Sequence, residues 1–164
     1  MSLPIESRQS MRQSIFGRSI VGRAMEILLI EDDLIDARAT IQVLDRGNVR
    51  CRVSLVRDGE EAIRFIRRQG IFAKAPRPDL IVLDMEVPKK NGCEILQELH
   101  ADTELISIPV VAMCPPQTCQ SLLDDDSGGP LEFMPKPLEA EPFVAMVKAL
   151  HFSLLTELVA GSTV

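Results

Sequence analysis

The sequence predicts an α/β fold, a doubly wound parallel sheet of five strands with helices on both faces. Three observations predict it. Short apolar runs without polar alternation recur along the chain, as strands covered on both faces do. Segments with apolar residues at helical spacing separate those runs, which is the alternation of a parallel sheet. Acidic residues stand directly after the first and third runs, where an open parallel sheet gathers its ligands.

The elements follow in order. Met25-Glu26-Ile27-Leu28-Leu29-Ile30 is the first strand and ends at Glu31-Asp32-Asp33. Ile35, Ala37, Ile41 and Leu44 recur at helical spacing, and Arg46-Gly47-Asn48 closes that helix. Val53 to Val56 is the second strand. Asp58-Gly59 makes a turn, and Ala62, Ile63, Phe65 and Ile66 open a second helix that stops at Gly70. Pro76-Arg77-Pro78 breaks the chain before Leu80-Ile81-Val82-Leu83, a third strand running straight into Asp84. Gly92 to Ala101 supplies a third helix with Ile95, Leu96 and Leu99 inward. Pro109 to Met113 is the fourth strand and Leu131 to Met134 the fifth. Phe143, Val144, Met146, Val147 and Leu150 begin a long final helix that continues through Leu154, Leu155 and Leu158. Between the last two strands, Pro115-Pro116, Asp124-Asp125-Asp126 and Gly128-Gly129 leave room only for a short helix over Gln117 to Leu123. That stretch is expected to be the most mobile part of the body.

Composition narrows the function. A chain of 164 residues has room for one domain and a short extension. The net charge of −6 is unevenly spread: Arg8, Arg12, Arg18 and Arg23 against Glu6 leave residues 1–25 at +3 and the remainder at −9. An acidic body does not steer toward phosphodiester backbones, and no Trp or Tyr is present to stack on bases. Nucleic-acid binding is therefore not expected. Cys51, Cys93, Cys114 and Cys119 form no CxxC pair, and only His100 and His151 are available beside them. Reduced thiols in a cytoplasmic protein are the expected reading, not a zinc site or a disulfide framework. No apolar run approaches the ~20 residues needed to cross a bilayer. The expected division is a basic extension over 1–25 and one domain over 26–160. The extension is rich in Ser and Arg and poor in acids, as organelle transit peptides are. Ile15, Phe16, Ile20 and Val21 would also line one side of a short helix. A mobile basic arm is the preferred reading of it.

The acids carry the chemistry. Glu31 and Asp32 follow the first strand, Asp84 the third, and Lys136 the fifth. Hard oxygen donors converging from separate strands suit Mg²⁺, which needs only one or two carboxylates and keeps several waters. A nearby ammonium pairs with a phosphoryl oxygen as a point charge. Any one of these acids, taken alone, is better explained as a helix cap. Four matches after the appropriate strands, in order, are hard to explain that way.

The stretches ILLIEDD (Ile27 to Asp33), DLIVLDMEVPKKNG (Asp79 to Gly92), IPVVAMC (Ile108 to Cys114) and FMPKP (Phe133 to Pro137) resemble the receiver domains of two-component response regulators. The resemblance covers about residues 26–150, and RPDLIVLDMEVPKKNGCEIL is most similar to the small phytochrome-associated regulators. It implies a flavodoxin-like sheet of strand order 2-1-3-4-5. It implies that Asp84 accepts a phosphoryl group from a histidine kinase of phytochrome type. Glu31, Asp32, Asp84 and the backbone carbonyl of Glu86 would hold Mg²⁺. Lys136 would bind a phosphoryl oxygen, with a cis peptide to Pro137, and Phe133 would be the aromatic that reports activation. Such a chain modifies itself and turns over no external substrate, so it is not expected to be an enzyme.

Two departures weaken the switch that the resemblance implies. Cys114 stands at the usual Thr or Ser position, and a thiol is a weak donor. Pro115 follows it and has no N–H to offer the phosphoryl group. Charged hydrogen bonds of this kind contribute ~1.5–3 kcal/mol each. Phosphorylation with a weak conformational response is the expected outcome. The alternative is a degenerate receiver that binds partners without phosphorylation. A haloacid-dehalogenase-like phosphatase is disfavoured, because that class places a second Asp where this chain has Glu86. With no output domain after residue 150, contact with other proteins is the expected mode of action. The apolar surplus of Phe152, Leu154, Leu155 and Leu158 points to a homodimer through the final helix.

Overall fold

The computed structural model describes residues 23–117 and 131–161. The expectations for Ile15, Phe16, Ile20 and Val21, for the segment after Gln117, and for the side chains of Cys119 and Leu158 lie outside the described residues.

Among the described residues the strands are β1 (Met25–Ile30), β2 (Cys51–Val56), β3 (Leu80–Asp84), β4 (Val110–Cys114) and β5 (Leu131–Pro135). They form one parallel sheet in the order β2-β1-β3-β4-β5. Helices α1 (Leu34–Arg46), α2 (Gly59–Ile66), α3 (Gly92–His100) and α4 (Ala140–Gly161) connect and flank them. The predicted fold class and strand order are those observed.

The sheet separates two apolar clusters, and strand periodicity decides which residue faces which. Leu28, Ile30, Ile81, Leu83 and Ala112 pack with Ala62, Ile63, Phe65 and Ile66 of α2 and Ile95, Leu96 and Leu99 of α3. Ile27, Leu29, Leu80, Val82 and Val111 pack with Ala37 and Leu44 of α1 and Phe143 and Val147 of α4. β1, β3 and β4 are buried at every residue, which is why they read as apolar runs, broken only by Glu26 in β1 and closed by Asp84 in β3. β2 and β5 are edge strands and only partly buried. That explains why Cys51 and Arg52 were not foreseen in β2, and how Pro135 is tolerated in β5.

One helix face differs from expectation. Ile35 is 80% exposed and Ile41 37%, whereas Ala37, Thr40 and Leu44 are the buried residues of α1. Thr40 can face inward because its hydroxyl donates to the Asp36 carbonyl at 3.0 Å. No helix among the described residues is long and apolar enough to cross a membrane.

Candidate phosphoryl and metal site

Strand register brings the acids level. Ile30 pairs with Leu83 across β1 and β3, so Glu31 and Asp84 each lie one step further at the same sheet edge. Cys114 pairs with Pro135 across β4 and β5, which puts Lys136 one step beyond that pair. Lys136 N–H continues the ladder by donating to the Cys114 carbonyl at 3.0 Å. The Lys136–Pro137 peptide is cis, as the resemblance implied.

Glu31, Asp32, Asp84 and Lys136 meet in one pocket. One carboxylate oxygen from each of the three acids lies within 4.8 Å of the other two. Glu31 and Asp84 are buried, while Asp32 is exposed at the mouth. Lys136 Nζ stands 3.0 Å from Asp84 Oδ2 and 3.5 Å from Glu31 Oε2. It is also 3.8 Å from Asp36 Oδ2, a neighbour that sequence reasoning missed because Asp36 looks like any acid in a first helical turn.

Capping accounts for none of these candidate ligands. The α1 cap is Asp33, whose Oδ1 accepts from Ile35 N–H at 2.8 Å and Asp36 N–H at 3.2 Å. The α3 cap is Asn91. Asp84 Oδ1 instead accepts from Glu86 N–H at 3.0 Å, which orients the carboxylate and leaves the Glu86 side chain exposed.

The electrostatics suit a cation. Burial and the hydrogen bond with Asp84 push the Glu31 carboxyl up to about 7, although Lys136 opposes this. Glu31 Oε2 is buried without a hydrogen-bond partner, since Lys136 at 3.5 Å offers Coulomb attraction outside hydrogen-bonding geometry. Burial pulls the Lys136 ammonium down, but its bond to Asp84 and the charges of Asp84, Glu31 and Asp36 leave it above its ordinary value. One ammonium among clustered carboxylates leaves negative charge in excess, with an oxygen donor unused. An all-oxygen set of this kind fits a hard divalent cation.

The end of β4, one step beyond the Asp84–Met113 pair, is less well supplied. Cys114 is buried, and its sulfur is disulfide-bonded, which corrects the expectation of a reduced thiol. Cys51 and Cys93 are free. A bonded sulfur has no S–H, and Pro115 has no N–H, so neither position supplies a donor at that point. Phe133 is half-buried against the α2–α3 cluster.

Four similarities bear on this geometry. Residues 27–148 match the response regulator receiver domain. Response regulator Rcp1 of Synechocystis sp. is 40% identical over 87 residues, 53% of this chain and 59% of Rcp1, so the match spans less than two thirds of that relative. The phosphorylated cyanobacterial phytochrome response regulator RcpA superposes with a TM-score of 0.65 at 33% identity, covering 78% of this chain and 91% of RcpA. The Mn²⁺-bound form of Rcp1 gives 0.66 at 29% identity, covering 85% of this chain and 96% of that one. With the sheet order, the strand-end acids and the matched span in agreement, the chain belongs to the response regulator receiver domain family.

Proposed function

We propose that Asp84 is the phosphoacceptor of a two-component phosphorelay and that this domain accepts a phosphoryl group from a phytochrome-type sensor histidine kinase. The observation that carries the reading is the convergence of Glu31, Asp32, Asp84 and Lys136 at one sheet edge. Residues 26–160 are read as the receiver unit and residues 1–25 as a basic extension. The donor assignment rests on similarity to phytochrome response regulators. A cytoplasmic location follows from such a donor.

Asp84 is oriented for attack. Glu86 N–H holds one of its oxygens and Lys136 the other. An Asp84 oxygen bonds to phosphorus as the phosphorus–nitrogen bond of a phosphohistidine breaks. The electron pair of that bond stays on the imidazole, which takes up a proton. Lys136 then moves from pairing a carboxylate to pairing a phosphoryl oxygen, with no change in its own charge. Glu31, Asp32, Asp84 and the Glu86 carbonyl would hold Mg²⁺, which supplies neutralisation of charge on the transferring group. The chain is modified itself and turns over no external substrate.

Incubation with a small phosphodonor and Mg²⁺, followed by intact-mass measurement, tests this. One phosphoryl adduct on the wild type and none on Asp84→Asn is the expected pair of results. An adduct that survives Asp84→Asn, or none on either chain, refutes the assignment.

The disulfide-bonded sulfur of Cys114 and the missing N–H of Pro115 favour a second reading, a degenerate receiver that binds partners without phosphorylation. Absence of any adduct together with retained partner binding would select it. In either reading the output is protein contact. Phe152 is 73% exposed on α4, four residues beyond the matched span, which supports a homodimer through that helix. Molar mass by light scattering across a dilution series should fall from dimer toward monomer.

A further inference from the structure

Arg57 and Asp58 link β2 to Gly59, the first residue of α2, beside β1, and none of the three is a candidate ligand. Each is nevertheless bonded to one of the two loops that carry the candidate ligands. Arg57 Nη2 donates to the Asp32 carbonyl at 3.1 Å, in the loop after β1. Arg57 N–H donates to Glu61 Oε2 at 3.2 Å, so the base of that arm is held by the first turn of α2. Asp58 Oδ1 caps α2 by accepting from Glu61 N–H at 2.8 Å, while its Oδ2 pairs with Lys89 Nζ at 3.1 Å, in the loop after β3. Gly59 N–H donates to the Pro88 carbonyl at 3.1 Å in the same loop.

The approach at Gly59 admits no side chain. A Cβ there would lie 1.9 Å from the Lys90 carbonyl oxygen. Lys89 holds a φ of 68°, the left-handed region that costs a residue with a side chain. The loop after β3 therefore keeps a shape it would not favour unaided, and contacts from the β2–α2 turn join those from Glu98 and Met85 in holding it.

We propose that the Arg57-Asp58-Gly59 turn is a positioning element for the divalent-cation pocket, fixing the spacing between the Asp32 loop and the Glu86 carbonyl. This rests on the reading above that those groups hold the ion. Glu31 and Asp84 are already anchored at buried strand ends. Asp32 is exposed and Glu86 lies in a loop, so theirs are the ligand positions that need external restraint. A cation with fixed oxygen distances rewards that restraint, because partners behind the ligands decide whether all of them reach it together.

Calorimetric titration of Mn²⁺ into the metal-free full chain tests the proposal with Arg57→Met and Lys89→Met. Both substitutions remove a positive charge close to an acidic pocket, so Coulomb attraction alone would tighten binding. Positioning demands the opposite sign. Each variant is expected to bind Mn²⁺ about tenfold more weakly. Lys89→Arg, which keeps the pair with Asp58, should stay near the wild type. The unfolding midpoints of the metal-free variants should lie within about 2 °C of the wild type, since both side chains are exposed. Unchanged or tighter Mn²⁺ binding by both Met variants overturns the proposal. A wild type that binds no Mn²⁺ overturns the metal assignment itself, which separates the two failures.

Discussion

The two sides of the pocket are built to different standards. At the ends of β1 and β3, Glu31 and Asp84 lie level by strand register, are buried, and share Lys136. At the end of β4, the Cys114 carbonyl is taken up by Lys136 N–H, its sulfur is disulfide-bonded, and Pro115 brings no N–H. The first side holds the groups that would accept a phosphoryl group. The second holds few that would respond to its arrival. In the proposed reading, accepting the group and responding to it would be separable, because different strands carry the residues for each.

The first side gives the largest expected effect. Asp84→Asn should abolish labelling by a phosphodonor, since an amide is no nucleophile at neutral pH. The same substitution should stabilise the metal-free chain by about 1–2 kcal/mol, because it removes one of two acids crowded in a buried site. Urea unfolding with a chelator present measures this. A destabilised variant would mean that the Lys136 pair outweighs the crowding.

Next in size is the pH dependence of metal binding. Glu31, raised to about 7, must shed its proton before it can hold a cation. Mn²⁺ affinity should therefore fall by about tenfold per pH unit below 7, a slope readable by titration at several pH values. The sign for stability is opposite to that of an ordinary paired acid. Between pH 4.5 and 7 the folded chain binds a Glu31 proton that the unfolded chain has released. Metal-free stability should decline as pH rises through that window. A Mn²⁺ affinity independent of pH would remove Glu31 from the ligand set.

The second side offers a gain instead of a loss. Cys114→Thr with Pro115→Ala introduces a hydroxyl and an N–H at the end of β4 and also removes the Cys114 disulfide, so Cys114→Ala, which removes that bond without adding a donor, is the control. Each hydrogen bond to a charged group contributes about 1.5–3 kcal/mol. Any measured conformational response to phosphorylation should strengthen by about tenfold or more, for example in protection of β5 amides from hydrogen exchange. A response unchanged by the double substitution would show that the limits of the switch lie elsewhere.

The parts legible in the sequence were those that one short window decides. β1, β3 and β4 are buried at every residue, so their apolar runs announce themselves. The strand-end acids followed because a parallel sheet gathers its ligands there. Ile35 and Ile41 misled, because the inward stripe of α1 uses small Ala37 and self-satisfied Thr40 where an apolar count favours the isoleucines. Asp58-Gly59 read only as a turn. Its bonds to Lys89 and Pro88 join residues about thirty positions apart, and no local pattern encodes them. The bond at Cys114 escaped because a core of this size argues against a disulfide framework and for reduced thiols.

The smallest expected effect sharpens the contrast, because it belongs to the well-supplied side. Glu86 contributes its N–H to Asp84 while its carboxylate faces solvent. A solvated charge acts through a high dielectric, where a unit pair at 4 Å is worth about 1 kcal/mol. Glu86→Gln removes that repulsion toward an anionic donor and leaves the N–H in place. Phosphorylation by a small anionic donor should accelerate about two- to fivefold at low salt, as measured by pseudo-first-order labelling rates. Screening should then erase the difference near 1 M salt, where the Debye length is about 3 Å. A gain that persists there would mean that Glu86 acts by contact within the pocket, and that a side chain now read as solvent-facing holds the first side back.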